Sequence, residues 1–229
     1  MTTLHYIYDP LCGWCYGAAP LVAAARMQLP VIAHGGGMMA YHNRKAVTPS
    51  LRNYVIPHDH RIAQLTGQPF GDAYFAGLLR DEHAVFDSEP PITAILAAEK
   101  LAKKGLDLLA LIQKAHYVEG QRIAELGVLS KLATKIGLDR DIFDYEYHNQ
   151  FGENTQAHIL ESRELLHRVG GQGFPTFVLE QNDDLQVINL APYFGNLDAW
   201  EEFLINAKSA KINEQTNSMD ACDINGCAN

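Results

Sequence analysis

The sequence predicts an α/β domain whose sheet is assembled from the two ends of the chain around a helical insertion. Three observations carry this expectation. The first 40 residues read β-α-β, and helical patterns dominate from about Tyr41 to Gln150. Strand signals return only after Gly170-Gly171, in the order α-β-β-α.

Residues 3–8 are rich in β-branched and aromatic side chains, a buried strand that Asp9-Pro10 ends. The alanine-rich run from Cys15 to Ala25 is a helix, with a kink expected at Pro20. A second strand is expected at Val31–His34, ended by Gly35-Gly36-Gly37. Ser88-Glu89-Pro90-Pro91 reads as a helix start, since proline is tolerated in a first turn. Leu106 to Val118 and Leu126 to Ile136 carry apolar stripes, and Gly105, Gly120 and Gly137 fall where helices would stop. A helix is expected over 155–169, a proline-led strand over 173–179 and a turn at Asp183-Asp184. A partner strand over 185–190 and a closing helix over 197–207 complete the chain. The organisation expected is a discontinuous sheet domain (1–40 and 151–210), an inserted helical domain (41–150) and a polar tail (211–229).

Composition narrows the function. With 47% hydrophobic and 20% charged residues the chain has an ordinary globular make-up. A net charge of −9, with basic residues scattered, argues against a nucleic-acid groove or an anionic membrane as partner. No apolar run approaches the length of a membrane span. Met1-Thr2-Thr3 leads straight into strand-like sequence rather than a secretory leader, so a cytoplasmic location is expected. The cysteines number four: Cys12, Cys15, Cys222 and Cys227. That is too few for a disulfide scaffold and points to catalysis or metal binding.

Cys12-Gly13-Trp14-Cys15 lies between a strand and a helix. Two cysteines at this spacing share a helix face and can bridge. Cys12, at the helix N-terminal edge, gains from unpaired amides and the helix dipole, which stabilise a thiolate. Cys15, one turn inside, is expected to be shielded and harder to ionise. The asymmetry suits a relay in which Cys12 forms a mixed disulfide and Cys15 resolves it. Half of a zinc site is the competing reading, but zinc needs four ligands and the other cysteines are more than 200 residues away.

Tyr8-Asp9-Pro10-Leu11-Cys12-Gly13-Trp14-Cys15-Tyr16-Gly17 resembles the active-site segment of DsbA-like proteins, and more narrowly their cytosolic FrnE-like branch. Gly171-Gln172-Gly173-Phe174-Pro175-Thr176-Phe177-Val178 is similar to the family's loop before the third core strand. The segment Leu129 to Asp139 is a third point of likeness, and the resemblance spans about residues 4–207. It implies a thioredoxin fold with a helical domain inserted after the second strand. It also implies thiol–disulfide oxidoreductase or isomerase activity on protein or peptide disulfides. No bound cofactor is implied, and glutathione is a candidate redox partner. The proline matching Pro175 is cis in that family and lies against the cysteine pair, which would turn the Phe174 backbone towards an extended substrate. Trp14 is then either an apolar substrate contact or a residue packed across the domain junction. Gly13-Trp14 departs from the Pro-His pair of strongly oxidising DsbA proteins, so an intermediate potential is expected.

The alternative function on the same scaffold is a small-molecule isomerase or glutathione transferase, of the chromene-carboxylate isomerase or kappa type. Those relatives usually carry serine at the position of Cys12 and lack the second cysteine, which weighs against it here. Gly35-Gly36-Gly37 is either a ligand cradle or a loop that needs turn freedom. His58 and His60 read as a solvated loop rather than a metal site. Cys222 and Cys227 flank the turn-forming Asn225-Gly226, so they form a second redox pair, a labile disulfide or an accidental pair.

Overall fold

The computed structural model describes residues 2–209. Strand β1 (Thr2–Tyr8) leads to a short helix α1 (Gly13–Gly17), helix α2 (Ala19–Gln28) and strand β2 (Val31–Gly35). The expected kink is a full break: Ala18 caps α1, and Pro20 falls at the start of α2, where a missing N–H costs nothing.

The middle of the chain is helical with one addition. Strands β3 (Lys45–Ala46) and β4 (Val85–Phe86) form a small antiparallel ladder. Between them lies α3 (Pro49–Thr66), capped by the Thr48 side chain and ended by Gly67 in the left-handed region. A π turn (Ala73–Gly77) follows it. Then come α4 (Glu89–Ala102), α5 (Gly105–Tyr117), α6 (Leu126–Lys135), α7 (Arg140–Gln150) and α8 (Glu153–Arg168). Gly105 therefore opens a helix rather than closing one; the left-handed residue that stops α4 is Lys103, at φ 57°. Helices α3 and α7 escape a reading by apolar stripes because they bury so little, Asp59 and Ile62 from α3 and Phe143, Glu146 and Tyr147 from α7.

Strands β5 (Thr176–Gln181) and β6 (Asp184–Ile188) form a hairpin, and α9 (Leu197–Ser209) closes the described chain. The strand begins at Thr176, not Gly173, because Pro175 has no N–H to give a ladder and the first paired residue is Thr176, opposite Ile7. The turn is Asn182-Asp183, one residue earlier than expected. Both have positive φ (52° and 68°), as a two-residue hairpin turn requires. The four-stranded sheet has the order β2-β1-β5-β6, with β1 parallel to β2 and antiparallel to β5.

Both faces of β1 are covered, which explains its near-continuous apolar run. Leu4, Tyr6 and Tyr8 enter the main core with Phe177, Trp200 and Cys15. Ile7 points the other way, to Val178 and to Leu165 of α8. The Trp200 indole N–H donates to the Leu21 carbonyl at 2.8 Å and locks α9 to α2. This is the thioredoxin fold, with helices intervening between β2 and β5. No helix among the described residues is long and apolar enough to cross a membrane.

Candidate active site

The site forms where β1 ends. Cys12 is the N-cap of α1, in extended conformation at φ −87° and ψ 115°. Its sulfur accepts the Cys15 N–H at 3.4 Å, the capping bond normally given by a serine or aspartate oxygen. The Cys12 thiol donates in turn to the Phe174 carbonyl at 3.3 Å. Both thiols are free. Cys12 keeps 7% of its surface exposed and Cys15 none, so only the first can meet a partner. Burial pushes the Cys15 thiol well above the usual cysteine range, and the neighbouring Cys12 adds to this. The Asp9 N–H donates to the Cys15 sulfur at 3.5 Å, and the Tyr6 hydroxyl to the Cys15 carbonyl at 3.2 Å.

Phe174 and Pro175 stand opposite Cys12, and the peptide bond between them is cis. The glycine loop is filled with protein side chains rather than shaped as an open cradle. A Cβ on Gly36 would lie 2.1 Å from the Phe174 ring, one on Gly35 3.0 Å from Ile92, and one on Gly37 2.9 Å from Ile159. Arg163 of α8 holds the loop from below, donating to the Gly36 and Gly37 carbonyls at 2.7 and 2.6 Å. The half-buried Trp14 sets its ring 5.2 Å from Phe194, in the segment before α9.

Two buried carboxyls flank the dithiol. Asp9 ties three segments together. Its Oδ1 accepts from the Leu11 N–H and the Ser88 hydroxyl, both at 2.9 Å, and its Oδ2 accepts from the Met38 N–H at 2.5 Å. Asp59 of α3 accepts the Tyr74 hydroxyl at 2.8 Å and lies against Gly13, where a Cβ would be 2.7 Å from its Oδ1. Burial outweighs these bonds and pushes Asp9 up to about 6 and Asp59 up to about 7. A carboxyl raised in this way favours the fold most below its unfolded value of about 4. That contribution is lost as pH rises through about 6 for Asp9 and about 7 for Asp59. The urea midpoint is therefore expected to fall between pH 5 and pH 8, and a midpoint rising over that range would contradict it.

Asp59, Tyr74, Ser88 and Arg163 carry no sequence motif. The one signal for Asp59 is the glycine at position 13, which marks a close approach. His58 and His60 lie on helix α3, not in a loop. His58 Nδ1 is 2.7 Å from the Tyr54 carbonyl oxygen, and His60 stacks on Phe75. Among the described residues no cluster of three or more His, Cys, Asp or Glu side chains could hold a metal. Cys222 and Cys227 lie outside the described residues.

The two thiols thus sit at a helix start at the end of a thioredoxin strand, Cys12 with 7% of its surface exposed and Cys15 with none. The chain belongs to the DsbA-like thiol–disulfide oxidoreductases. Its likeness to one member is high: it is 54% identical to the cytosolic disulfide reductase DsbM from Pseudomonas aeruginosa. That comparison covers 90% of this chain and 98% of DsbM, with a TM-score of 0.85. A second DsbM structure, with GSH, gives 51% identity and a TM-score of 0.84, over 91% of this chain and 100% of that one. A more distant structure, from a 2-hydroxychromene-2-carboxylate isomerase, shares the fold at 16% identity and a TM-score of 0.58, over 91% of this chain and 100% of that one. No protein-family model and no curated protein matches the chain.

Proposed function

We propose that this chain is a cytoplasmic disulfide reductase in which Cys12 attacks and Cys15 resolves, with glutathione returning the electrons. The observation that carries the reading is the asymmetry of the pair: Cys12, a helix cap, keeps a small exposed surface of 7%, while Cys15 keeps none. The Cys12 thiolate attacks one sulfur of a substrate disulfide, forming a mixed disulfide and expelling the other sulfur as a thiolate. The Cys15 thiolate then attacks Cys12 and releases the second substrate sulfur, leaving a Cys12–Cys15 disulfide. Two molecules of glutathione reduce that bond and leave as glutathione disulfide, so two electrons enter and two leave.

An extended peptide or glutathione fits beside Cys12, taking backbone hydrogen bonds from the Phe174–Pro175 loop and apolar contact from Trp14. Both sulfurs of the dithiol pair are needed for this cycle, which favours it over the isomerase and transferase reading. Cys222 and Cys227 act in it as a second dithiol that exchanges with the first.

The test is an equilibrium titration of the dithiol against a glutathione redox series, read by alkylation and mass spectrometry. One reversible two-electron transition is expected, nearer thioredoxin at about −270 mV than disulfide isomerase at about −180 mV. Absence of a reversible transition would overturn the reading. In a Cys222→Ser/Cys227→Ser variant, insulin reduction is expected to slow; an unchanged rate and potential would remove the tail pair from the cycle.

A further inference from the structure

The acids of this chain are unevenly placed. The protein carries 27 aspartates and glutamates and a net charge of −9. Residues 10–71 hold one acid, Asp59, where an even spread would put about seven. They hold five lysines and arginines: Arg26, Arg44, Lys45, Arg52 and Arg61. Asp59 is buried, so the surface of this segment carries no acid. The same segment supplies the dithiol, the glycine loop and helix α3. Arg26 and Arg44 are paired from outside it, with Asp107 and Asp87. Arg52 and Arg61 of α3 enter no ion pair among the described residues.

Helix α3 is a wall of the site. Its inner face rests on α1: a Cβ on Gly13 would lie 2.9 Å from Ile62, and one on Gly17 would lie 2.9 Å from Ile62 and 3.0 Å from Thr66. At its C-terminal end, a Cβ on Gly195 would stand 2.4 Å from the Leu65 carbonyl oxygen. Phe194, next in the chain, sets its ring 5.2 Å from Trp14. On the outer flank of α3, Tyr54, His58, Arg61 and Leu65 follow at i, i+4, i+7 and i+11, which aligns them in one row. Tyr54 and Leu65 are 46% and 48% exposed, with an exposed Arg61 between them. The rings of Tyr54 and His58 pack at 4.7 Å. The row is ~16 Å long, enough for about five residues of extended peptide. A tripeptide such as glutathione spans about 10 Å at most.

We propose that this row is a docking face for an acidic peptide segment that flanks the disulfide of a protein substrate. Arg61 meets its carboxylates, and Tyr54 and Leu65 meet its apolar side chains. The proposal rests on the dithiol reading above and names the substrate class that the dithiol serves. A chain of net charge −9 repels acidic partners at long range. An acid-free wall packed on α1 reverses that repulsion locally, since a surface charge acts over about 10 Å at 0.1 M salt, about the diameter of a helix.

The test uses two disulfide peptides, identical except that aspartate and glutamate flank the cysteine in one and asparagine and glutamine in the other. The whole protein reduces them with glutathione as electron donor. The measure is the ratio of their kcat/KM values within each protein, which cancels any general loss of activity. Wild type is expected to favour the acidic peptide by about three- to tenfold at about 20 mM salt, through KM, and to lose the preference at about 500 mM. Arg61→Glu should bring the ratio to one or below, and Arg61→Gln part of the way. A ratio of one in wild type, or a preference that survives Arg61→Glu or high salt, overturns the proposal. So does a loss towards glutathione disulfide in Arg61→Glu as large as that towards the acidic peptide, because the row would then serve the tripeptide. Failure of the parent reading looks different: wild type would then reduce neither peptide.

Discussion

Cys12→Ser is expected to abolish insulin reduction, a loss on the order of 10³-fold or more, while the fold is retained. Serine keeps the cap, because its oxygen accepts the Cys15 N–H better than sulfur does, so α1 should stay in place. What disappears is the thiol of the pair on the residue that keeps any exposure. Cys15→Ala should behave differently. Attack by Cys12 still proceeds, but no resolving thiol follows, and the protein accumulates as a mixed disulfide with glutathione or peptide. Mass spectrometry under non-reducing conditions separates the two outcomes. A Cys12→Ser protein that still turned over, or a Cys15→Ala protein that formed no adduct, would reverse the assigned roles.

Gly36→Val is the second large effect expected, and it acts without touching either sulfur. A Cβ at this position would sit 2.1 Å from the Phe174 ring, so the ring must leave its place. Its backbone carries the carbonyl that accepts the Cys12 thiol. Displacing a loop that lies against a reacting group by about 1 Å can cost 10²-fold in rate, and overpacking costs about 1–3 kcal/mol of stability. The expected result is a fall of about 10²-fold in kcat/KM, with a urea midpoint lowered but still cooperative. The double variant Gly36→Val/Phe174→Ala makes room for the new side chain and should recover most of the stability. Unaltered kinetics in Gly36→Val would mean that the loop does not place Phe174.

The dithiol and the proline loop were legible in the sequence because their chemistry is local. Cys12 and Cys15 are one helical turn apart, and Phe174-Pro175 adjoins the strand it starts. The glycine loop shows where such reading stops. Gly35, Gly36 and Gly37 announce a need for space, but the side chains that take it, Ile92, Phe174 and Ile159, come from more than 50 residues away. Helix α3 was hidden for a related reason. It buries only Asp59 and Ile62 fully, with Leu51, Val55 and Ile56 half-buried against the core, so its apolar stripe is faint and is interrupted by an aspartate in a polar run. A buried acid of this kind is invisible until a partner surface, here Gly13 and Tyr74, is brought to it.

The central strand pair has a consequence for how the protein is made. Strand β1 pairs with β5, joining residue 2 to residue 181, and its other neighbour β2 supplies only a parallel edge. Contacts that close so long a loop form late, since the entropy of closure precedes any gain from pairing. On the ribosome, chain emerges from the N-terminus, so β1 and the Cys12 segment leave the tunnel long before the strand that covers them is synthesised. The helices between have local contacts and can consolidate meanwhile. For most of its synthesis, then, the strand that leads into the dithiol has β2 as its one neighbour in the sheet. Only when Thr176 to Gln181 docks does β1 gain its antiparallel neighbour. The sheet on which the dithiol segment is mounted is thus completed only towards the end of translation.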